Sequence, residues 1–151
     1  MLVALFLLAA GAGGSPCQFP SQEPGKCLYP AKKSDCSKQA PRHHIATNKR
    51  EQAAQGPRTF DYEELFSGTG IDIDGPANAV CLAEHKGPHP VEYHDIVYGA
   101  LANARGSAQR PDAKSADRMK ASLAELAASL LHPGSCLNRL VTTNVKTCSG
   151  R

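Results

Sequence analysis

The chain has 151 residues, a net charge of +3 at pH 7, 41% hydrophobic and 5% aromatic residues, and no Trp. That length holds one domain plus a tail or export segment and excludes two full domains. A core this lean in a domain this small calls for a disulfide or a metal to help hold it.

Charge is distributed unevenly. Residues 26–58 carry eight Lys/Arg against two acids, residues 59–104 one against eight, and residues 105–151 eight against three. The first basic stretch suits a polyanionic partner, but on charge alone a solubilising surface is the better reading.

Residues 1–16, MLVALFLLAAGAGGSP, are uncharged and apolar, then small. The apolar run falls short of the roughly 20 residues that a bilayer-spanning helix needs. It matches the h-region of an export signal followed by small residues at a cleavage site, although no Lys or Arg precedes it. The expectation is a secreted or cell-envelope protein, peripheral to a membrane only if Cys17 carries a lipid. The six cysteines are Cys17, Cys27, Cys36, Cys81, Cys136 and Cys148, with no C-x-x-C pair among them. Their spacing argues against a zinc ribbon, and an even number behind an export signal points to disulfides, with fifteen pairings open.

Residues 17–40, rich in Pro, Gly, Ser and Lys, read as an extended lead-in arm outside the core. HHIA (43–46) is a short strand candidate, and 48–57 is polar and loop-like. TFDYEELF (59–66) reads as a short helix with Thr59 as N-cap, ended by Gly68 and Gly70. After the turn residues Asp74, Gly75 and Pro76, AVCLA (79–83) is a compact apolar run suited to pair with HHIA. Pro90 opens a helix over 90–104 whose apolar stripe is Tyr93, Ile96, Val97, Ala100, Leu101 and Ala104, with His94 at its edge. Residues 107–113 form a linker. A second helix is expected from Asp112, as N-cap, to Leu131, with the stripe Ala116, Met119, Leu123, Leu126 and Leu130. A short apolar element then lies between Cys136 and Cys148.

Five of the six histidines fall in two groups, His43-His44 and His85, His89, His94. Imidazole is both a common metal ligand and a base near neutral pH. Neighbours on a strand point to opposite faces, so His43 and His44 suit two different tasks better than chelation of one ion. Taken singly, each histidine reads as a surface or capping residue, and Asn78 as a turn residue; the joint pattern carries the weight.

HHIATNK, GIDIDGPANAVCL and HKGPHPVEYHDIVYGAL, in that order, closely resemble the AHH family of HNH/endonuclease VII-like nucleases, found widely among bacterial polymorphic toxins. The resemblance covers about residues 41–142, leaving 143–151 as a tail. It implies an α+β fold, a small ββα-metal (His-Me finger) core with additional α-helices and mostly helical overall, that hydrolyses phosphodiester bonds. It implies His43 as a metal ligand, His44 as the general base and Asn78 as the brace completing the catalytic set. It adds His89 and His94 as further metal ligands and carries over no role for His85. Arg42 stands where the family's name-giving Ala is usual. The cofactor implied is a divalent metal: Mg2+ or Zn2+, with Ni2+ a further candidate, histidine donors suiting the latter two. Arg42, Lys49 and Arg50 are placed to contact backbone phosphates without reading sequence.

The function expected is a metal-dependent endonuclease exported as a toxin or effector, with DNA ahead of RNA as substrate and a cognate immunity protein as a further partner. The competing reading is a secreted or lipid-anchored non-enzymatic protein that uses the same scaffold for a binding or structural role.

Overall fold

A computed structural model of the chain describes residues 27–48, 59–106, 111–112 and 114–148. The export-like segment, Cys17, Lys49, Arg50 and most of the 107–113 linker lie outside the described residues. So does the Thr59 side chain expected to cap the first helix. The fold is α+β: among the described residues, four helices surround one two-stranded antiparallel sheet. In chain order the elements are β1 (Arg42–His44), α1 (Thr59–Phe66), β2 (Ala79–Cys81), α2 (Val91–Arg105), α3 (Ser115–Leu131) and α4 (Cys136–Thr142), with 3-10 turns at Lys33–Asp35 and Pro76–Asn78. No helix among the described residues is long and apolar enough to cross a membrane.

The two strands pair with Arg42 opposite Cys81, His43 opposite Val80 and His44 opposite Ala79. β1 stops at His44 rather than running through Ala46, because Asn78 takes over the backbone groups that follow. The Ile45 N–H donates to the Asn78 carbonyl at 2.9 Å. The Ala46 N–H donates to Asn78 Oδ1 at 2.8 Å, and Asn78 Nδ2 donates to the carbonyls of Ala46 and Ile73, each at 2.8 Å. Asn78 is fully buried, so these bonds replace water that cannot reach it.

The arm behaves differently from the sequence expectation. Tyr29 and Ala31 are buried. The Ala31 N–H donates to the Ala79 carbonyl and the Cys81 N–H to the Leu28 carbonyl, both at 3.0 Å, so the arm lines the free edge of β2. Tyr29 Oη donates to the Ala77 carbonyl, and burial pushes its phenol up to about 12. A Cys36–Cys81 disulfide closes the arm onto β2. A strand edge left open would carry unpaired N–H and C=O groups, which is the physical reason a polar, Pro-rich segment becomes part of the core.

α2 and α3 form the other layer. Tyr93, His94, Val97 and Leu101 of α2 and Met119, Leu123, Leu126, Ala127 and Leu130 of α3 are buried. Pro90 is the N-cap of α2 rather than its first helical residue. α3 starts at Ser115, three residues after the expected cap. Asp112 sits outside the helix, where Oδ1 accepts from Ser115 Oγ at 2.7 Å and from the Lys114 N–H at 3.1 Å. These contacts, with Ser115 and then Arg118 foremost, hold its carboxyl below the usual carboxylate range. The closing element is a helix, α4, capped by Ser135 and pinned by the Cys136–Cys148 disulfide.

Asn78→Ala leaves three backbone groups, two of them buried, without their side-chain partner and is expected to lower the unfolding free energy by about 3 kcal/mol in urea denaturation; a loss under about 1 kcal/mol would contradict the bracing role.

Candidate metal centre

β1 alternates in burial, with His43 buried between the half-buried Arg42 and His44. The pleat therefore sends His43 to the face that meets α2 and leaves Arg42 and His44 together on the other. His43 is 5% exposed. Its ring centroid lies 4.6 Å from that of His85 and 4.8 Å from that of His89, and these two are 5.0 Å apart. One nitrogen from each of the three lies within 4.8 Å of the others, and the Nε2 atoms of His85 and His89 are 2.7 Å apart.

The loop that presents His85 and His89 is built for this approach. Glu84 adopts φ 57°, the one positive φ among the described non-glycine residues. A left-handed residue there reverses the chain out of β2 at a cost of about 1–2 kcal/mol, a strain met often at functional sites. The Lys86 N–H then donates to the Val141 carbonyl at 2.7 Å, tying the loop to α4.

Tyr93, which sequence periodicity marks only as a core residue, supports the cluster from below. Its hydroxyl donates to the Ile45 carbonyl at 2.8 Å and lies 3.2 Å from His43 Nε2. A phenol has one proton, and Ile45 takes it. His43 Nε2 must therefore be the donor in the second contact, which places the ring's lone pair on Nδ1. Burial holds the Tyr93 phenol well above its ordinary value, so it keeps that proton. A buried partner that sets the tautomer in this way is the usual support of a metal-ligating histidine.

His94 is close but separate. Its ring lies 5.7 Å from that of His89, and it is not part of the convergent group. It is buried rather than at the helix edge, 9% exposed, with Nδ1 lacking a hydrogen-bond partner. The expected trio His43, His89, His94 thus differs from the trio that the fold brings together, His43, His85, His89. His85, which the sequence groups with His89 and His94 but to which the resemblance carries no role, lies in the loop between β2 and α2.

His44 occupies the opposite face. Its Nε2 is 3.2 Å from Arg42 Nη1 and 3.8 Å from Asp74 Oδ1. Arg42 is more occupied than a surface phosphate contact would be. Its Nε donates to the Ala31 carbonyl at 3.3 Å, and its Nη2 to the carbonyls of Asp74 at 2.5 Å and Gly75 at 3.1 Å.

Three imidazoles without a carboxylate form a donor set that suits zinc and related transition metals better than magnesium. A second group, Glu92 with Cys136 and Cys148, does not compete, because both sulfurs are in the disulfide and Glu92 Oε1 accepts from the Cys148 N–H at 2.9 Å. The open groove beside His89 is lined by Glu92, Asp95 and Lys146 among others. Its two carboxylates oppose a phosphate chain.

Burial lowers the His94 pKa from 6.5, against the opposing pull of Asp95. The unfolded chain therefore binds this proton at a higher pH than the folded one, and the stability involved is full above 6.5 and falls as the pH drops below it. In metal-free protein, His94→Gln is expected to flatten the slope of unfolding free energy between about pH 7 and pH 5; an unchanged slope would remove His94 as a source of that dependence.

Residues 28–130 match a nuclease family of the HNH/ENDO VII superfamily with conserved AHH. No curated protein and no solved structure matches the chain significantly. The matched span takes in the β2-edge segment from Leu28, both strands, the histidine cluster and nearly all of α3, and on that extent the chain belongs to this family of nucleases, enzymes whose substrate is nucleic acid.

Proposed function

We propose that the protein is a metal-dependent endonuclease in which His43, His85 and His89 hold a divalent ion of the zinc class and His44 is the general base. The observation that carries the reading is the convergence of three imidazoles on one face of a strand whose next residue presents a fourth imidazole on the other. When bound, the ion would offset charge developing on the phosphodiester group.

The remaining work falls to the chain. His44 takes a proton from the attacking water, whose oxygen forms the new bond to phosphorus as the bond to the leaving oxygen breaks. Tyr93 keeps His43 in the tautomer that leaves the ring's lone pair on Nδ1. Asn78 holds the β1–β2 junction, so the base and the cluster stay on opposite faces of one short ladder. Lys49 and Arg50 follow β1 closely in sequence and suit contacts to backbone phosphates. DNA is the preferred substrate.

The same reading makes the protein an exported toxin or effector acting outside the producing cell. Its supports are the apolar segment 1–16 and the two described disulfides, since such bonds persist in oxidising compartments.

The test is nicking of supercoiled plasmid by the protein loaded with zinc, nickel, manganese or magnesium. Cleavage that EDTA abolishes, and that His44→Ala slows by about 100-fold or more while zinc affinity is kept, is the expected result. No cleavage with any metal, or equal cleavage by the His44 variant, would remove the nuclease mechanism and favour a non-enzymatic binding role.

A further inference from the structure

Arg42 replaces the Ala of the conserved AHH triplet, so the chemistry of the family does not need a guanidinium at this position. In this chain the guanidinium is nonetheless anchored. Three of its contacts are to backbone carbonyls from two separate segments, Ala31 of the arm and Asp74 and Gly75 of the turn before the Pro76–Asn78 helix. The fourth is Nη1, 3.2 Å from Nε2 of His44.

A guanidinium only donates hydrogen bonds and does not lose its proton in proteins. The contact with His44 therefore requires the lone pair to be on Nε2 and the ring proton on Nδ1. Asp74 Oδ1, at 3.8 Å, is too far to claim an Nε2 proton and already accepts from Asn48 Nδ2. The nitrogen with the lone pair is thus the one that Arg42 covers.

We propose that Arg42 is a specificity-determining latch on the base. In the absence of substrate its Nη1 occupies the His44 lone pair, and a phosphate of a polynucleotide flanking the scissile one draws that N–H away. The inference rests on His44 being the base. The energetics favour the exchange in one direction: a guanidinium–phosphate hydrogen bond has charge on both sides, whereas the bond to a neutral imidazole has it on one. The three carbonyl contacts keep the guanidinium beside the base throughout, so only one hydrogen bond changes partner. The consequence is selectivity for polyanionic substrates over small isolated phosphodiesters, which have no second phosphate to release the base.

Two measurements test this. The first compares zinc-loaded wild type and Arg42→Ala, which restores the family triplet, on plasmid DNA and on bis(4-nitrophenyl) phosphate. Arg42→Ala is expected to raise kcat/KM on the small diester by about 10-fold and not to raise it on DNA, collapsing the preference between them. An unchanged preference, or an equal loss on both substrates, would overturn the latch. Arg42→Gln, which can still donate to a carbonyl, replaces Arg42→Ala if the latter melts early. The second is the 15N shift of the His44 ring in metal-free protein at a pH where the ring is neutral. Wild type is expected to show an unprotonated Nε2 and a protonated Nδ1, with Arg42→Ala losing that bias. A protonated Nε2 in wild type would refute the contact. Wild type that cleaves neither substrate would sink the nuclease reading, and the 15N shifts would still decide whether Arg42 covers His44.

Discussion

Asn78 uses both amide hydrogens and its carbonyl oxygen inside the protein, and what it grips is the backbone just past β1. A three-residue ladder is too short to fix its own register. By holding Ala46 from both sides and Ile73 from a third, one buried amide makes the junction rigid where the ladder ends. His43 sits three residues before Ala46, and His85 and His89 follow four and eight residues after Cys81 closes β2. If the junction slipped by one residue, His43 would turn to the opposite face and the cluster would have two members. The histidine cluster is therefore a consequence of a hydrogen-bonding constraint, and the disulfide from Cys36 to Cys81 secures the free edge of β2.

This arrangement separates two electrostatic environments across one strand. On the α2 face, one buried and two half-buried imidazoles converge beside Tyr93, whose phenol burial pushes well up, and this donor set suits a transition-metal cation. On the other face, His44 lies among Arg42, Asp74 and the turn that carries them, half-buried and more polar. Adjacent residues of a helix could not be divided so cleanly, since they lie about 100° apart around the axis; a strand sets them at opposite poles.

The sequence made the site legible where chemistry and punctuation coincide. The His43-His44 pair, Asn78 before an apolar triplet, and His89-Pro90 opening a helix are visible as residue types at telling places, and the structure puts all of them at the β1–β2–α2 junction. What stayed hidden depended on contacts. His85 joins the cluster through a left-handed Glu84, a backbone state that no side-chain pattern announces. His94 matched a helix edge, but the first turn of α2 also meets α1, where the Tyr62 hydroxyl donates to the His94 carbonyl at 3.0 Å, and the His94 side chain is buried there. The arm looked like a linker because its value lies in backbone hydrogen bonds to β2, to which polar and proline-rich composition is blind.

The central claim is the identity of the three ligands, and calorimetric titration of zinc into four single variants tests it directly. The account predicts one ion per chain, with His43→Ala, His85→Ala and His89→Ala each losing affinity by more than the roughly 10–100-fold that an outer-shell change costs, and His94→Ala staying within that range. Zinc affinity that survives His85→Ala and collapses in His94→Ala would contradict it.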